Sequence, residues 1–519
     1  MSNIDVIKEN IQFEQLLRES NTTTMLNEEY LIPDTHPDVQ EILMVDAKPS
    51  ITSKETVGDK VMVEGMVEYN VLYLAKEEEL VVSSVNYSQK FANSLDLEEA
   101  EHKIACEVCC RVEHIESKII NERKVSIDGV LDFNWEMYKG REIELIKDVE
   151  GTDGIEILKK NEVINSTDVN ETVELMGKSV IRVSMDKPQI SKILKCKLEL
   201  QKKEIKVLEE KIYCGCYCKL MMLYLSNEGK EIHSLDDNIY ITKEVEMPNA
   251  TSDMMVTGEY DIKNKDVTIE EDDLGEARLV NTEIIITCKV KAFSKKSIDV
   301  IADAYSPKVN LDIAKDTCKL GMLEGIYNSE AVVKDNIYMN EGDMMPEKII
   351  TSSGEAVVTE KAVEDNKIIV GGYIRVNVIY KTNDDSKYLD KASGDIPFNI
   401  SIDAHGANNK MQALVKACIE NLDVSIEANT IAMKATLTMT AKVLYEVEKD
   451  FVSDIILGEG EDIKKKASVT IYVIGKGDSL WHLAKKYKTT MDDIIKINDL
   501  EDPDYLVPGE KLLIPGRAM

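Results

Sequence analysis

A chain of 519 residues is too long for one hydrophobic core and divides into about three or four domains. Its 43% apolar and 31% charged residues describe globular protein rather than disorder. The formal charge of -33, from 96 acidic against 63 basic residues, argues against nucleic acid or an anionic membrane as a partner.

The chain opens on Met-Ser-Asn-Ile-Asp-Val-Ile-Lys-Glu-Asn, which lacks the basic start and apolar run of a secretory signal. No run of about 18 apolar residues follows. A cytosolic site of action is therefore expected. The 10 cysteines agree, because they fall on strand-like segments and not in a disulfide framework.

The first element to recur is Pro37-Asp-Val-Gln-Glu-Ile-Leu43, a lead-in that returns as Pro188-Gln-Ile-Ser-Lys-Ile-Leu194 and more weakly as Pro346-Glu-Lys-Ile-Ile350. A long strand follows each. Val61–Tyr73 aligns without gaps on Ile212–Tyr224 and on Ile368–Tyr380, at spacings of 151 and 156 residues, which is domain duplication and not a solenoid period. Each segment ends in tyrosine and a polar turn, at 76–79, 227–229 and 383–385. Alternation keeps one phase in all copies: Val61, Val63, Gly65, Val67, Val71 and Tyr73 correspond to Ile212, Cys214, Cys216, Cys218, Met222 and Tyr224, and to Ile368, Val370, Gly372, Ile374, Val378 and Tyr380. Each copy is expected to bury one face of this strand.

Two further strands repeat. Ile104, Cys106, Val108, Cys110 and Val112 match Met254, Val256, Gly258, Tyr260 and Ile262, and Met411, Ala413, Val415, Ala417 and Ile419. A last set runs Val125–Phe133, Thr282–Val290 and Ile431–Val443. The expected fold is mainly β: three tandem homologous antiparallel β domains followed by a small βααβ domain. Expected boundaries are 1–165 for an N-terminal extension with the first repeat, 166–325 for the second, 326–457 for the third, 458–466 for a charged linker, and 467–519 for the last domain.

Tempting chemistry within the repeats reads as core. Cys214-Gly-Cys-Tyr-Cys218 spaces its cysteines two apart on a strand, so all three share a face, and the sister positions are Val63, Gly65, Val67 and Val370, Gly372, Ile374. These cysteines stand in for small core residues and no metal is expected. Cys106, Cys109 and Cys110 are read the same way. The 6 histidines form no pair at ligand spacing, and Gly458-Glu-Gly-Glu lacks the Gly-Lys-Ser/Thr ending of a phosphate loop. No cofactor and no catalytic residue is expected.

In the last domain, Val469–Ile474 has strand composition, and Gly475 and Gly477 end it. Asp478 is the expected N-cap of a helix whose apolar stripe is Leu480, Leu483, Ala484 and Tyr487. Thr490 with Asp493 starts a second helix with Ile494, Ile495 and Ile497 inward. Pro503, Pro508 and Gly509 turn the chain into a returning strand at Lys511–Ile514. Trp481 lies off the first helix's stripe and is expected to be partly exposed.

Read together, Tyr472-Val-Ile-Gly-Lys-Gly-Asp-Ser-Leu-Trp481, Leu483–Tyr487, Ile497-Asn498, Pro503-Asp504, Val507-Pro-Gly509 and Ile514-Pro515 resemble a LysM module, a family that binds chains of N-acetylglucosamine-type sugars or, less often, proteins. The resemblance implies a shallow ligand groove with Gly477, Asp478, Ser479, Leu480 and Trp481 on one side and Asn498, Leu500, Pro503, Asp504, Leu506 and Pro508 on the other. Two departures matter. Lys488 stands where the family usually ends its helix with glycine, costing about 1 kcal/mol if the backbone there is left-handed. Asp499, Glu501, Asp502, Asp504 and Glu510 crowd the second loop with negative charge, which repels anionic wall polymers and favours a protein ligand.

The three repeats, preceded by Tyr30-Leu-Ile-Pro-Asp-Thr-His-Pro-Asp38 and followed by this module, resemble the SPOCS repeats of spore-coat-associated proteins. That resemblance implies a scaffold in the mother-cell cytoplasm, acting at the forespore surface, that promotes coat encasement by binding the SpoIVA-type ATPase of the basement layer through the LysM module. The alternatives are a peptidoglycan or cortex glycan binder and a cell-wall hydrolase. Threefold repetition argues against the hydrolase.

Overall fold

The structure is a computed structural model describing residues 4–76, 80–97, 104–150, 154–226, 231–339, 344–383, 388–428, 430–458, 468–503 and 505–516. The acidic turn at 77–79, the turn at 227–229, positions 384–385, the linker at 459–466 and Asp504 lie outside the described residues.

The first repeat contains β1 (Asp5–Leu31), β2 (Val39–Val57), β3 (Lys60–Lys76), β4 (Leu80–Asp96), β5 (Ile104–Asn121) and β6 (Lys124–Glu150). These form two antiparallel three-stranded sheets, ordered β1-β6-β5 and β2-β3-β4. The second repeat contains β7 (Glu156–Arg182), β8 (Ile190–Leu208), β9 (Lys211–Ser226), β10 (Ile232–Glu246), β11 (Met255–Glu271) and β12 (Ala277–Tyr305). The third contains β13 (Leu311–Tyr338), β14 (Pro346–Glu364), β15 (Lys367–Thr382), β16 (Leu389–Asp403), β17 (Gln412–Glu427) and β18 (Thr430–Leu457). Both reproduce the first repeat's sheet order.

The shared alternation has a direct physical cause. β3, β9 and β15 are the central strands of their sheets, and the residues in phase bury against the inner faces of β6, β12 and β18. Cys214, Cys216 and Cys218 are fully buried there. The tyrosines that close the repeated segments of β3 and β9 share a structural duty: the Tyr73 hydroxyl donates to the Pro37 carbonyl at 3.0 Å and the Tyr224 hydroxyl to the Pro188 carbonyl at 3.1 Å, tying strand to lead-in.

The expected boundaries at 165 and 325 fall inside β7 and β13. The first strand of each repeat pairs along its length with the last, Glu156 opposite Tyr305 and Leu311 opposite Leu457, so the sheets divide the chain near 150–156 and 305–311. Periodicity does not reveal β1, β7 and β13. In β1 the register shift between Leu16 and Arg18 inserts an extra residue, Leu17, which moves the side chains that follow across the sheet and breaks the period of two.

The repeats do not hang as separate beads. Beyond the sandwich the first and last strands continue as two-stranded ribbons, and the three ribbons meet. Ile11, Phe13 and Leu145 of the first repeat pack with Ile164, Ile298 and Val300 of the second and Leu320, Met322 and Phe451 of the third. A second shared core joins Leu43, Leu72 and Leu74 to Leu194 and Leu223, and to Ile379 and Leu389. These cores explain why alternation lapses at Val71-Leu-Tyr-Leu74, where one face fills the sandwich and the other fills the shared core.

A chamber of about 2240 Å³ lies between the repeats. Cys109, Glu259 and Lys416, the same position in the three copies of β5, all line it, and Lys416 pairs with Glu259. Cys109 is therefore no core residue. Cys106 is buried and Cys110 half-buried, but Cys109 has the opposite strand phase and is exposed to the chamber. Among the described residues no group of three His, Cys, Asp or Glu side chains is placed to hold a metal, and no helix is long and apolar enough to cross a membrane.

Candidate functional site

The C-terminal head is β19 (Val469–Val473), α1 (Leu480–Tyr487), α2 (Met491–Asn498) and β20 (Lys511–Pro515). β19 and β20 pair antiparallel, Val469 opposite Pro515. The helix stripe buries as its spacing requires: Ile474, Leu480, Leu483, Ala484, Ile494, Leu512 and Ile514 form one core. The N-cap of α1 is Ser479 and not Asp478, its side chain accepting from the His482 amide. Asp478 instead closes the preceding loop, accepting from the Gly475 amide at 2.7 Å and the Tyr472 hydroxyl at 2.8 Å. Those donors hold its carboxyl below the ordinary range. Thr490 caps α2 through the Asp493 amide, and Lys488 sits in the left-handed region at φ 56°.

The residues assigned to the groove divide into two groups. Gly477 and Pro508 are exposed; Ser479, Pro503, Leu500 and Leu506 are half-buried, the two leucines packing on the head core. Leu480 and Asn498 serve the fold. Asn498 donates to the carbonyls of Ile494 at 2.8 Å and Leu513 at 2.7 Å, and accepts from the Leu513 amide at 2.7 Å, so it joins α2 to β20. We expect Asn498→Ala to destabilise the head by about 2 kcal/mol, since it strands backbone groups of the β20 strand. Thermal unfolding followed through Trp481 fluorescence measures this, and an unchanged midpoint would contradict the structural role.

Trp481 is the main correction. It is only 6% exposed, because the body covers it. Its indole Nε1 donates to Asp303 Oδ2 at 2.9 Å, and its ring meets Tyr305 edge-on at 4.9 Å between centroids. Lys485 Nζ lies 2.7 Å from both Asp303 oxygens, and the Tyr305 hydroxyl donates to the Thr489 carbonyl at 2.9 Å. Burial raises the Asp303 carboxyl, but Lys485 and the indole more than offset it, leaving the group below its ordinary value. Tyr305, at the end of β12 and 3% exposed, belongs to the head's core cluster. Helix periodicity sets Trp481 off the stripe of Leu480, Leu483, Ala484 and Tyr487, yet the indole is buried in the same cluster as Leu480, Leu483 and Tyr305, because a neighbouring domain that periodicity does not describe closes over that side.

The head also turns an apolar stripe outward. Val469, Ile471 and Val473 alternate on one face of β19 and are all exposed, Ile471 at 66%. Tyr505 and Val507 are exposed beside the second loop, where Asp499, Glu501, Asp502 and Glu510 are exposed too.

Comparison with known families matches residues 38–120, 189–270 and 346–427 to the SipL, SPOCS domain, and residues 472–515 to the LysM domain. Each SPOCS match runs from the β2 position to the β5 position of its repeat, leaving out the long first and last strands. Among curated relatives, the SpoIVD-associated factor A of Bacillus subtilis (strain 168) is 38% identical over 50 residues, 9% of this chain and 13% of the relative. The spore coat assembly protein ExsA of Bacillus cereus is 40% identical over 50 residues, 9% and 8% of the two chains. The cortical fragment-lytic enzyme of Bacillus subtilis (strain 168) is 44% identical over 45 residues, 9% and 10%. The chain thus spans about a tenth of the length of the curated relatives it matches. No solved structure matches it.

Proposed function

This chain is a protein of three SPOCS domains and a LysM domain, and from that premise we propose that it is a non-enzymatic scaffold of spore coat assembly. Its head binds the SpoIVA-type ATPase of the basement layer, in the mother-cell cytoplasm at the forespore surface. Of the relatives matched, one is named a spore coat assembly protein, ExsA, and another a SpoIVD-associated factor.

The observation that carries a protein ligand is the rim of the head. The exposed carboxylates of Asp499, Glu501, Asp502 and Glu510 disfavour an anionic wall polymer. Beside them, Tyr505, Val507 and the β19 stripe offer the apolar area that protein contacts use. The body supports this as a rigid spacer, since three clusters of buried apolar residues each draw on all three repeats, the third joining Ile146 to Ile301 and Ala304 and to Val452 and Ile455. Many such chains on a polymerised target gain avidity without any single tight site.

The test compares the full chain with one ending at Gly458, each immobilised and offered purified basement-layer ATPase or peptidoglycan sacculi. Capture of the ATPase by the full chain alone is expected. Capture of sacculi without ATPase would replace this reading with cortex glycan binding, and a clearing zone in a zymogram would replace it with a hydrolase.

A further inference from the structure

The contact between head and body has features of recognition as well as packing. Asp148, Asp303 and Asp454 occupy the same place in the three repeats, each following a register shift in the last strand. Asp148 and Asp454 accept from the next amide, Val149 and Ile455, at 2.9 Å, and Asp303 accepts likewise from Ala304. The aspartate is thus a structural feature of every repeat. What the second repeat adds is an aromatic ring two residues on: Tyr305 stands where the others have Glu150 and Ile456. Two residues apart on a strand, carboxylate and ring reach the same side, and the head's Trp481 and Lys485 meet this pair.

The head presents a complementary face. α1 places Trp481 and Lys485 one turn apart, with the Thr489 carbonyl at its end. Lys485, Lys486 and Lys488 make this part of a strongly acidic chain basic. An indole N–H and an ammonium converging on one carboxylate, with an edge-to-face ring beside them, make a specific three-point contact.

We propose that the α1 face of the head is a recognition surface for an extended acidic-aromatic segment, a carboxylate followed two residues later by an aromatic ring, and that Asp303-Ala-Tyr305 occupies it in the resting chain as an internal pseudo-ligand. The tether keeps this occupant at an effective concentration on the order of millimolar, so a partner segment of the same chemistry must displace the second repeat to bind. Displacement frees the head and exposes Trp481 and Tyr305 together. The proposal goes beyond the coat-assembly reading and does not depend on it, because its test uses only this chain's own sequence.

Trp135 is fully buried in the first repeat, so changes in tryptophan emission report on Trp481, the other of the 2 tryptophans. The experiment titrates a peptide of residues 299–307 into the full-length wild type, Tyr305→Ile and Lys485→Glu, with a control peptide carrying Asn and Ala at the Asp303 and Tyr305 positions. Tyr305→Ile installs the third repeat's own residue and so suits the strand. It is expected to red-shift Trp481 and increase its quenching by acrylamide, and the peptide is expected to reverse both changes saturably. The wild type should bind the peptide at least ten-fold more weakly, and Lys485→Glu should undock yet fail to bind. Wild-type emission in both variants, no reversal by the peptide, equal reversal by the control, or equal peptide binding by wild type and Tyr305→Ile would each overturn the proposal.

Discussion

Gly65→Cys is expected to destabilise the first repeat by about 3 kcal/mol, and Phe91→Ile in the same chain is expected to return part of that loss. Gly65 faces Phe91 across β3 and β4, and Gly372 faces Phe398 in the third repeat, but the second repeat has Cys216 opposite Ile241. A side chain at Gly65 would start 2.2 Å from the Phe91 ring and 2.3 Å from the Ser50 carbonyl oxygen. The glycine leaves room for the ring, and where the partner is smaller a thiol fits. Compensation is incomplete because the backbone differs as well: in the second repeat β8 carries a longer irregularity, between Gln201 and Glu204, and leaves Cys216 without a direct partner there. Phe91→Ile removes the ring clash and leaves the carbonyl clash. A double-mutant cycle on urea midpoints should give a coupling of about 1–2 kcal/mol. Additive losses would show that ring and glycine are independent.

Lys291→Ala is expected to cost about 3 kcal/mol, because it leaves two half-buried carboxylates without their cation. Lys291 Nζ lies 2.7 Å from Glu14 and 2.6 Å from Glu107, with its side chain 13% exposed. It also sits 4.9 Å from the centre of the Tyr138 ring. Its three partners belong to the first repeat while it belongs to β12, so the variant should loosen the joint between repeats and leave each sandwich intact. Burial lowers the Lys291 ammonium pKa, but the two carboxylates more than offset this and raise it; burial raises the Glu107 carboxyl, but Lys291 more than offsets that and holds it low. The Glu107 contribution is therefore present above the ordinary glutamate range and lost as pH falls through its lowered value. Adding Glu14→Gln and Glu107→Gln to Lys291→Ala should restore most of the stability at neutral pH. A midpoint shift below about 1 kcal/mol for the single variant would show that water reaches the site and screens the charges.

Local pattern was legible wherever one strand face is buried and the other is wet. The phase of Val61–Tyr73 and its two counterparts, the threefold duplication, the helix stripe Leu480, Leu483, Ala484 and Tyr487, and the Thr490 cap could all be read from side-chain order, because period and capping act within a few residues. The edge strands β1, β7 and β13 could not. Bulges break their alternation, and their mixed polarity reflects pairing with strands more than a hundred residues away.

Of the head's candidate site, the loops were placed by resemblance, while the duties of Asn498, Asp478 and Trp481 were not visible. Asn498 and Asp478 spend their hydrogen bonds on backbone that periodicity does not describe. The residue order of this protein thus specified its repeating units and the folds of its parts, through forces that reach only neighbouring residues and turns. How the three repeats close on shared cores, and which of them seats the head, followed from folding in space, because Phe451 meeting Leu145, or Trp481 meeting Asp303, depends on surfaces that exist only once each unit has formed.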